Sequence, residues 1–485
     1  MTLDQFDSWY KTRYRRTSSA LTATSFIISD ILAVLISFGW GFFLVRVYGF
    51  IHDFGSINFK SFITYWPYLP VFILVFQLFK LYPGISLAPS EEMRRFFIGS
   101  SLAYGGIIMG RAIESNVWDP INTAFLISGI FSTIILLTVR SITHLFLYKT
   151  KLGGIPVVIY GAGDTGKLVA RCLLKSVRSG YVPVLFLDNE HSDDDDKYMG
   201  IPIIKDFSVG PEIVKKYNIK MAIIAIPGID SNKIKSLINT SVSAFRYNVI
   251  IPNFHNISSV WMSVRDFNGI LGLDSSNKFK VTMNLVYKRF MDIIIVIIGG
   301  IFLCPFLLFI ALLIKVTSPG PVLYKQKRLG RNGLHFYTYK FRSMVVDADE
   351  RLKNLLNTNP EFKEEWEKKH KLTNDPRITS VGKFLRSTSI DEFPQLINIL
   401  KGEMSIVGPR PIVDEEISKY GEDYPRISSI KPGLTGLWQV SGRTDTNYHD
   451  RVAYDIYYLQ SWSVWLDLWI IFKTFGVVLF RKGAY

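Results

Sequence analysis

The sequence predicts a three-part membrane protein: an N-terminal bundle of membrane α-helices, a Rossmann-like α/β domain, and a mixed, mainly α-helical domain that begins with a membrane helix. Three observations predict this order. Apolar stretches fill the first 150 residues, alternating strand and helix patterns follow them, and a polar segment dense in Gly, Pro and Arg comes last. A chain of 485 residues is also too long for a single hydrophobic core.

The composition of the chain favours some classes of ligand over others. The chain is 48% hydrophobic and 14% aromatic, yet it carries a net charge of +15. Basic residues beside apolar segments favour anionic lipid headgroups and phosphorylated substrates. Nucleic acid would explain the charge but none of the apolar runs, so we predict no nucleic-acid partner. The two cysteines, Cys172 and Cys304, are too few for a disulfide framework or a zinc site, which fits a reducing compartment.

The first part, residues 1–150, is predicted to be a bundle of four transmembrane helices. Each apolar stretch is near the roughly 20 residues that cross a bilayer. Basic residues precede the first stretch, separate the second from the third, and follow the fourth, so the positive-inside rule puts the N-terminus and residue 150 onward in the cytoplasm. Asp30, inside the first stretch, should face a partner helix or lie near a headgroup. The stretches are Leu21–Val47, Phe62–Leu81, Phe96–Ile113 and Ile121–Leu147.

Residues 151–275 are predicted to form the Rossmann-like domain. The strand pattern Ile155–Tyr160 leads into the turn Gly161–Gly166, which has the form of a dinucleotide fingerprint. Asp188 follows later than the acid that binds ribose in such folds. A structural or regulatory role, a ligand-binding role and a redox role stay open, and the first is favoured because no Tyr-x-x-x-Lys pattern is present. We therefore expect Gly163→Val to impair folding or assembly more than turnover.

A fifth apolar stretch, residues 290–314, has two interpretations. Lys288 and Arg289 precede it and Lys315 follows it, so the basic flanks favour neither orientation. Pro305 removes a backbone donor two-thirds of the way along and predicts a kink. The stretch either spans the membrane or forms a re-entrant helix, about residues 288–315, that bends at Pro305 and returns to the cytoplasm. The second alternative keeps all of residues 280–485 accessible from the cytoplasm.

Arginines recur in short Gly-, Pro- and Ser-rich segments of the C-terminal part. Loops of this kind can aim several guanidinium groups at one point, and each guanidinium can grip phosphate oxygens bidentately. The alternative is a set of scattered surface arginines. The residues concerned are Arg342, Arg377, Arg386, Arg410 and Arg443.

Asp391 and Glu392 form an adjacent acid pair at a predicted helix start. With Ser389 they have the pattern of a capping box, which would give them a purely structural role. A carboxylate in this place can also act as a phosphoryl-accepting nucleophile while its neighbour holds a divalent cation. The two alternatives stay open at this level.

Taken together, these segments resemble the catalytic domain of the monotopic phosphoglycosyl transferases, also called polyprenyl-phosphate hexose-1-phosphate transferases. The similarity covers Tyr287–Tyr485, and its most specific strings are Asp391-Glu392-x-Pro394-Gln395-Leu and Gly408-Pro-Arg410-Pro411. The longer N-terminal architecture is similar to that of the undecaprenyl-phosphate galactose phosphotransferases.

The resemblance implies an activity and a location. Members transfer a hexose 1-phosphate, here galactose 1-phosphate by preference, from a UDP-sugar to undecaprenyl phosphate, with release of UMP through a covalent aspartyl intermediate. This is the first membrane step of O-antigen, capsule or exopolysaccharide assembly. The expected cofactor is Mg²⁺. The expected location is the bacterial inner membrane with the active site facing the cytoplasm, and a homodimer stays an open alternative to a monomer.

The resemblance also assigns residues. Asp391 would be the nucleophile and Glu392 the magnesium ligand. Cys304 departs from the serine that usually precedes the bending proline, which leaves the geometry of the bend in question. The substrate-binding set would be Lys340, Arg342, Arg377, Arg386, Pro409, Arg410, Pro411 and Arg443, and the re-entrant helix would use Lys288, Arg289, Asp292 and Pro305.

Two other functions compete with this one. A sugar-nucleotide epimerase or dehydratase would explain only the turn Gly161–Gly166. A non-enzymatic membrane assembly protein would explain the helices but not the acid pair.

Overall fold

The computed structural model shows two compact units, residues 1–257 and residues 258–485. The structure describes residues 3–14, 19–52, 64–84, 87–115, 119–150, 152–175, 180–189, 196–226, 228, 230–251, 263–267, 270–274, 282–358, 362–363, 372, 375–441 and 448–479.

Helices make up the start of the first unit. They are α1 (Leu3–Tyr14), α2 (Ser19–His52), α3 (Leu69–Leu78), α4 (Pro89–Ser115) and α5 (Pro120–Thr150). Three of these contain segments long and apolar enough to cross a membrane, namely Ala20–Gly49, Pro89–Glu114 and Pro120–Thr150.

The second predicted stretch differs from the other three. Helix α3 has 10 residues and extends about 15 Å, roughly half the hydrocarbon core of a bilayer. Pro67 lies in the short 3₁₀ turn before the helix and Pro70 in its first turn. Lys80, with φ of 54°, follows the end of the helix. Residues 53–63 lie outside the described residues. In the part that the structure describes, the four predicted apolar stretches correspond to three long helices and one short helix.

The helices of the bundle meet closely and share a buried ion-pair network. A Cβ at Gly41 of α2 would lie 2.4 Å from the Ala124 carbonyl oxygen of α5, so glycine permits this approach. Arg140 Nη1 lies 3.2 Å from Asp30 Oδ2, and Arg140 Nε lies 3.0 Å from Glu92 Oε1. Asp30 therefore faces a partner helix. Arg140 lies inside an apolar stretch, and hydropathy alone did not single it out.

A six-stranded sheet follows in the same unit. Its elements are β1 (Ile155–Tyr160), α6 (Asp164–Lys175), β2 (Tyr181–Leu187), β3 (Lys197–Tyr198), β4 (Ile201–Ile204), α7 (Gly210–Tyr217), β5 (Met221–Ile224), α8 (Ser231–Thr240) and β6 (Tyr247–Ile250). The strand order is β3-β4-β2-β1-β5-β6, with parallel pairing except between β3 and β4. Helices lie between β1 and β2, between β4 and β5, and between β5 and β6, which confirms the α/β class expected for this part.

The glycine turn between β1 and α6 is held by its own contacts. Asp188 Oδ2 accepts a hydrogen bond of 2.6 Å from the backbone N–H of Ala162, so this acid binds the loop itself. Gly161 has φ of 101°, and a Cβ at Gly166 would lie 1.9 Å from the Gly161 carbonyl oxygen. A Cβ at Gly163 would meet no atom within 4 Å. The structure therefore gives no steric reason for Gly163→Val to impair folding, whereas a side chain at Gly161 or Gly166 would collide with backbone atoms.

The second unit begins with an antiparallel hairpin and a long helix. The hairpin, β7 (Ser263–Phe267) and β8 (Ile270–Asp274), is separate from the six-stranded sheet. Helix α9 (Thr282–Thr317) has 36 residues with Pro305 inside it. Its segment Met283–Thr317 is long and apolar enough to cross a membrane.

Shorter elements follow α9 and carry the motifs of the C-terminal part. They are β9 (Leu323–Leu329), β10 (His335–Phe341), α10 (Ala348–Thr358), α11 (Ser380–Ser387), a 3₁₀ helix (Ile390–Gln395), α12 (Leu396–Lys401), β11 (Ser405–Val407), α13 (Ile417–Tyr420), α14 (Tyr424–Ile427), β12 (Gly433–Thr435), α15 (Leu437–Ser441), α16 (Tyr448–Ser461) and α17 (Val464–Leu479). This mixed, mainly helical composition agrees with the class expected for the C-terminal domain.

Helix α9 packs against the rest of this unit on both sides of its middle. Leu285, in its first turn, packs against the main core, to which Val296, Ile399 and Ile470 belong. Ile310 and Ile314 belong to a second cluster with Phe341 and Leu385. Between these contacts the helix is exposed, with Phe302 at 80% and Ile301 at 69%. The exposed apolar middle lies between two anchored ends.

Candidate active site

Asp391 and Glu392 lie in the first turn of the 3₁₀ helix Ile390–Gln395. Ser389 precedes it with φ of 56°, a left-handed conformation that is uncommon for a residue with a side chain. Its side chain makes no capping hydrogen bond, so the capping box considered above does not form. Strained backbone of this kind is concentrated at functional sites. The acid pair is therefore presented by a strained turn, and the purely structural alternative loses its main support.

Glu392 is paired with Lys340, which lies 52 residues earlier in the chain. Lys340 Nζ donates a hydrogen bond of 2.7 Å to Glu392 Oε1. Lys340 lies near the end of β10, which pairs with β9 in an antiparallel hairpin. The two side chains are 23% and 30% exposed, so the pair is accessible to a substrate.

Asn398 fixes the strand that carries Lys340. Its Oδ1 accepts from the backbone N–H of Tyr339 at 3.1 Å, and its Nδ2 donates to the carbonyl oxygen of Tyr337 at 2.7 Å. Nδ2 also lies 2.7 Å from Glu403 Oε2. The buried amide therefore ties α12, which directly follows the acid pair, to β10. Sequence reasoning missed Asn398, because its role depends on a tertiary contact.

Asp391 lies in an environment that perturbs its ionisation. Burial, reinforced by the neighbouring Glu392, raises the pKa of Asp391 to about 6, against the opposing charges of Lys340 and Arg386. Asp391 is thus ionised at neutral pH but retains basicity, as a nucleophilic or general-base carboxylate requires.

A basic cleft of about 330 Å³ adjoins the acid pair. Arg328, Lys340 and Arg410 supply positive charge, and Glu392 supplies the one carboxylate among the lining residues. Burial, reinforced by the neighbouring Arg410, lowers the pKa of Arg328, against the opposing charges of Glu416 and Glu392. The full lining is Arg328, Thr338, Lys340, Glu392, Gln395, Arg410, Pro411, Gly433, Leu434 and Gln439. Such a cleft suits a phosphate or diphosphate.

Arg328 is a cleft residue that the sequence analysis did not assign. It lies in β9, where Gln326 and Arg328 are half-buried while Lys325 and Lys327 are exposed. This alternation follows the two-residue period of a strand. The two-residue alternation in this polar strand could have identified Arg328 from the sequence, because it places Arg328 on the less exposed face of β9.

The predicted arginines have different environments. Arg386 lies near Asp391 and donates from Nε to Ser343 Oγ at 2.9 Å. Arg410 is exposed at the cleft. Arg377 pairs with Asp375, with Nη2–Oδ2 at 2.6 Å and Nε–Oδ1 at 2.8 Å, so its fork is occupied by a carboxylate.

Four further residues were predicted to bind substrate. Arg342 is buried, and its Nη2 donates to the Ser318 carbonyl oxygen at 2.7 Å, so it anchors the loop after α9 and does not line the cleft. Pro409 is buried beside Arg410, and Pro411 lines the cleft. Arg443 lies outside the described residues.

The residues at the start of α9 attach this helix to the rest of the unit. Lys288 Nζ donates to Asp467 Oδ2 at 2.7 Å. Arg289 donates to the carbonyl oxygens of Ile399 and Leu400, at the end of α12. Asp292 accepts from Ser405 Oγ at 2.7 Å and from the backbone N–H of Ile406 at 3.2 Å. All three polar side chains thus have partners within the domain, as anchors of the helix.

The carboxylates of Asp391 and Glu392 are compatible with one common way of holding a magnesium ion. Among the residues that the structure describes, no group of three or more His, Cys, Asp or Glu side chains could hold a metal ion. Mg²⁺ is commonly held by one or two carboxylates together with substrate phosphates and water. Asp391 and Glu392 could supply such carboxylates, and substrate phosphates and water would have to supply the remaining ligands.

Comparisons with known proteins agree with the motifs. The family model described as "Bacterial sugar transferase" matches residues 283–481, and one described as "CoA-binding domain" matches residues 77–244. An undecaprenyl-phosphate galactose phosphotransferase from Salmonella typhimurium is 37% identical over 359 residues, covering 73% of this chain and 74% of that protein.

Two further relatives align over similar lengths. An uncharacterized sugar transferase from Haemophilus influenzae is 38% identical over 351 residues, covering 71% of this chain and 74% of that protein. A UDP-galactose-lipid carrier transferase from Erwinia amylovora is 33% identical over 371 residues, covering 76% and 77%. These findings confirm the resemblance drawn from the acid-pair motifs, and the chain belongs to the bacterial sugar transferase family.

Proposed function

We propose that this protein transfers a hexose 1-phosphate from a UDP-sugar to undecaprenyl phosphate and releases UMP. The observation that carries the proposal is the basic cleft beside Asp391, a half-buried carboxylate whose pKa burial raises to about 6. A phosphorylated donor suits the cleft, and a nucleophile suits the carboxylate. Two of the relatives described above carry galactose in their names, which favours galactose 1-phosphate as the group transferred.

The first chemical step forms an acyl phosphate. An ionised Asp391 oxygen attacks the sugar-linked phosphorus of the UDP-sugar, the bridging P–O bond breaks, and UMP leaves with the electron pair. Arg328 and Arg410 line the cleft and offset the charge that develops on the departing phosphate. Lys340 pairs with Glu392 beside the nucleophile.

The second step regenerates the enzyme. A phosphate oxygen of undecaprenyl phosphate attacks the same phosphorus, the acyl–oxygen bond to phosphorus breaks, and the Asp391 carboxylate is released. The product is a sugar-diphosphate lipid. A two-step route suits one soluble and one membrane-confined substrate, since each can use the site in turn.

Magnesium would be held by Glu392, with Asp391 nearby, and when bound it would neutralise charge on the diphosphate. The residues of the chain then have two tasks. Lys340 and the cleft arginines bind and orient the phosphates, and the strained turn at Ser389 aims Asp391.

We propose that α9 is re-entrant and that the active site faces the cytoplasm of a bacterial inner membrane. A straight helix of 36 residues would extend about 54 Å and separate its two ends. Both ends pack against the same unit, and the exposed apolar middle lies between them, which supports a bend at Pro305. UDP-sugars are cytoplasmic metabolites, so a cytoplasmic site would be supplied with substrate.

Reporter fusions test this topology. Reporters at Lys151 and at Tyr485 should both report the cytoplasm, and Pro305→Ala should move part of the population towards a straight, spanning helix. Opposite sides in the wild-type chain would overturn the re-entrant proposal. The mass of the detergent-solubilised protein would separately distinguish a homodimer from a monomer.

A screen of UDP-sugars tests the reaction itself. Membranes containing the wild-type chain should convert UDP-galactose and undecaprenyl phosphate into a sugar-diphosphate lipid with equimolar UMP, and UDP-glucose should be a poorer donor. Asp391→Asn should be inactive. Conversion that yields UDP instead of UMP would show transfer of the sugar alone and contradict the proposal.

A further inference from the structure

A second cleft lies next to the basic one and shares Arg410 with it. The space between its lining residues, counted together with the open solvent at its mouth, is about 340 Å³. Apart from Arg410, its lining carries no charged side chain. The lining is Leu329, Gly330, Pro409, Arg410, Ile412, Tyr420, Tyr424, Ile427, Ser428, Ile430 and Pro432.

The walls of this second cleft are tied together by backbone hydrogen bonds. The Leu329 N–H donates to the Ile412 carbonyl oxygen at 2.9 Å, and the Asn332 N–H donates to the Ser428 carbonyl oxygen at 2.7 Å. Arg331 Nε donates to the Ser429 carbonyl oxygen at 2.9 Å. The end of β9, the segment around Arg410 and the segment 420–430 are thus joined, so the cleft exists before a ligand arrives.

We propose that the second cleft binds the nucleoside of the UDP-sugar, an inference that rests on the function proposed above. A nucleoside diphosphate sugar carries its negative charge in the middle, between an aromatic base and a polar sugar. Arg410 lies where the two clefts meet, and the charged side chains Lys340 and Glu392 lie on one side of it only. With the diphosphate at Arg410 and the sugar-linked phosphorus towards Asp391, the base falls on the apolar side.

Tyr424 and Ser428 can supply the stacking surface and the hydrogen bonds that bind a pyrimidine nucleoside. The Tyr424 ring offers a stacking surface, and the two hydroxyl groups can pair with the polar edge of the base or ribose. Burial raises the pKa of Tyr424, which keeps its phenol a neutral donor. The competing occupant is the isoprenoid tail of the acceptor. That tail already has the bilayer as its apolar solvent, and a cleft of 340 Å³ could enclose only a small part of it.

The test measures UMP binding by calorimetry with the full chain in lipid nanodiscs. Tyr424→Leu keeps an apolar side chain but removes the ring, so the Kd for UMP should rise about tenfold, as expected for loss of one stacking partner. Tyr424→Phe should restore binding to within about threefold. The KM for undecaprenyl phosphate and the Kd for inorganic pyrophosphate should not change. Tyr337→Leu is the matched control, because Tyr337 is 56% exposed and lines neither cleft.

Each contrary result would overturn a different part of the proposal. Wild-type binding of UMP that Tyr424→Leu leaves intact would overturn this inference alone, and a raised KM for undecaprenyl phosphate alone would assign the cleft to the tail. A wild-type chain that binds UMP no better than pyrophosphate would overturn the proposed function as well. If Tyr424→Leu does not fold, Ser428→Leu, which fills the same cleft, should weaken UMP binding, and unchanged binding would again overturn the inference.

Discussion

The acid limb of the pH–rate profile should respond in opposite directions to two substitutions beside Asp391. If the ionised carboxylate is the nucleophile, kcat/KM should fall below about pH 6, where burial and Glu392 place the pKa of Asp391. Glu392→Gln removes a like charge, so the limb should move to lower pH. Lys340→Met removes an opposing charge, so the limb should move to higher pH.

The size of these shifts follows from the geometry. A charge within about 4–6 Å moves a carboxyl pKa by roughly one to three units. Lys340 and Glu392 are 23% and 30% exposed, which argues for the low end, about one unit each. One unit corresponds to about 1.4 kcal/mol. Both side chains line the cleft, so the height of the profile should also fall. The position of the limb is therefore the readout.

UMP release is measured between pH 5 and pH 8 at fixed Mg²⁺, with subsaturating UDP-sugar. Lys325→Met is the matched control, since Lys325 is an exposed lysine on the neighbouring strand β9 and should leave the limb in place. Shifts in the same direction for both variants, or a wild-type profile without a limb near pH 6, would refute the assignment of Asp391.

The same pKa predicts an effect on stability. Burial raises the pKa of Asp391 from its usual 3.8 to about 6, so the folded chain binds more protons than the unfolded chain between these values. Stability is then lost as pH rises through that window. Asp391→Asn removes this loss, so it should unfold at the same or a higher temperature than the wild type at pH 7.5. A clearly lower unfolding temperature would show that the ionised carboxylate is stabilised by the fold.

Two further predictions concern the scaffold. Lys288→Met leaves the Asp467 carboxylate buried without its cation and should lower the free energy of unfolding by about 3–5 kcal/mol in chemical denaturation, whereas Lys315→Met, on the exposed end of the same helix, should change it little. Gly166→Val should sharply reduce the yield of folded protein in size-exclusion chromatography, because its Cβ would lie 1.9 Å from a backbone oxygen, while Gly163→Val should be tolerated. Equal losses within either pair would contradict the packing described.

Sequence patterns predicted those parts of the fold that depend on local periodicity. Apolar length identified three of the helices in the first 150 residues, and a strand followed by a glycine turn identified β1 and α6. Within the described residues, the second apolar stretch contains a helix of 10 residues, with Pro67 in the turn before it and Pro70 in its first turn. Helix ends depend on backbone geometry as well as composition.

The sequence predicted only part of the candidate site, because local patterns identify motif residues but not the contacts between distant segments. The acid pair and Arg410 stood out as motif residues, and the structure places both beside the basic cleft. The pairing of Lys340 with Glu392 spans 52 residues and depends on how Asn398 holds β10, which no local pattern encodes. Arg377 had a simpler signal: Asp375, two residues away, was close enough to occupy its guanidinium.

The covalent intermediate is the central claim, and single-turnover UMP release without lipid tests it most directly. Purified wild-type enzyme mixed with UDP-sugar and Mg²⁺, in the absence of undecaprenyl phosphate, should release one UMP per active site and gain the mass of one hexose phosphate. Asp391→Asn should do neither while remaining folded. The alternative is direct attack by the lipid phosphate. A wild-type enzyme that releases no UMP until lipid is added, and then gives intersecting initial-rate lines, would contradict the account.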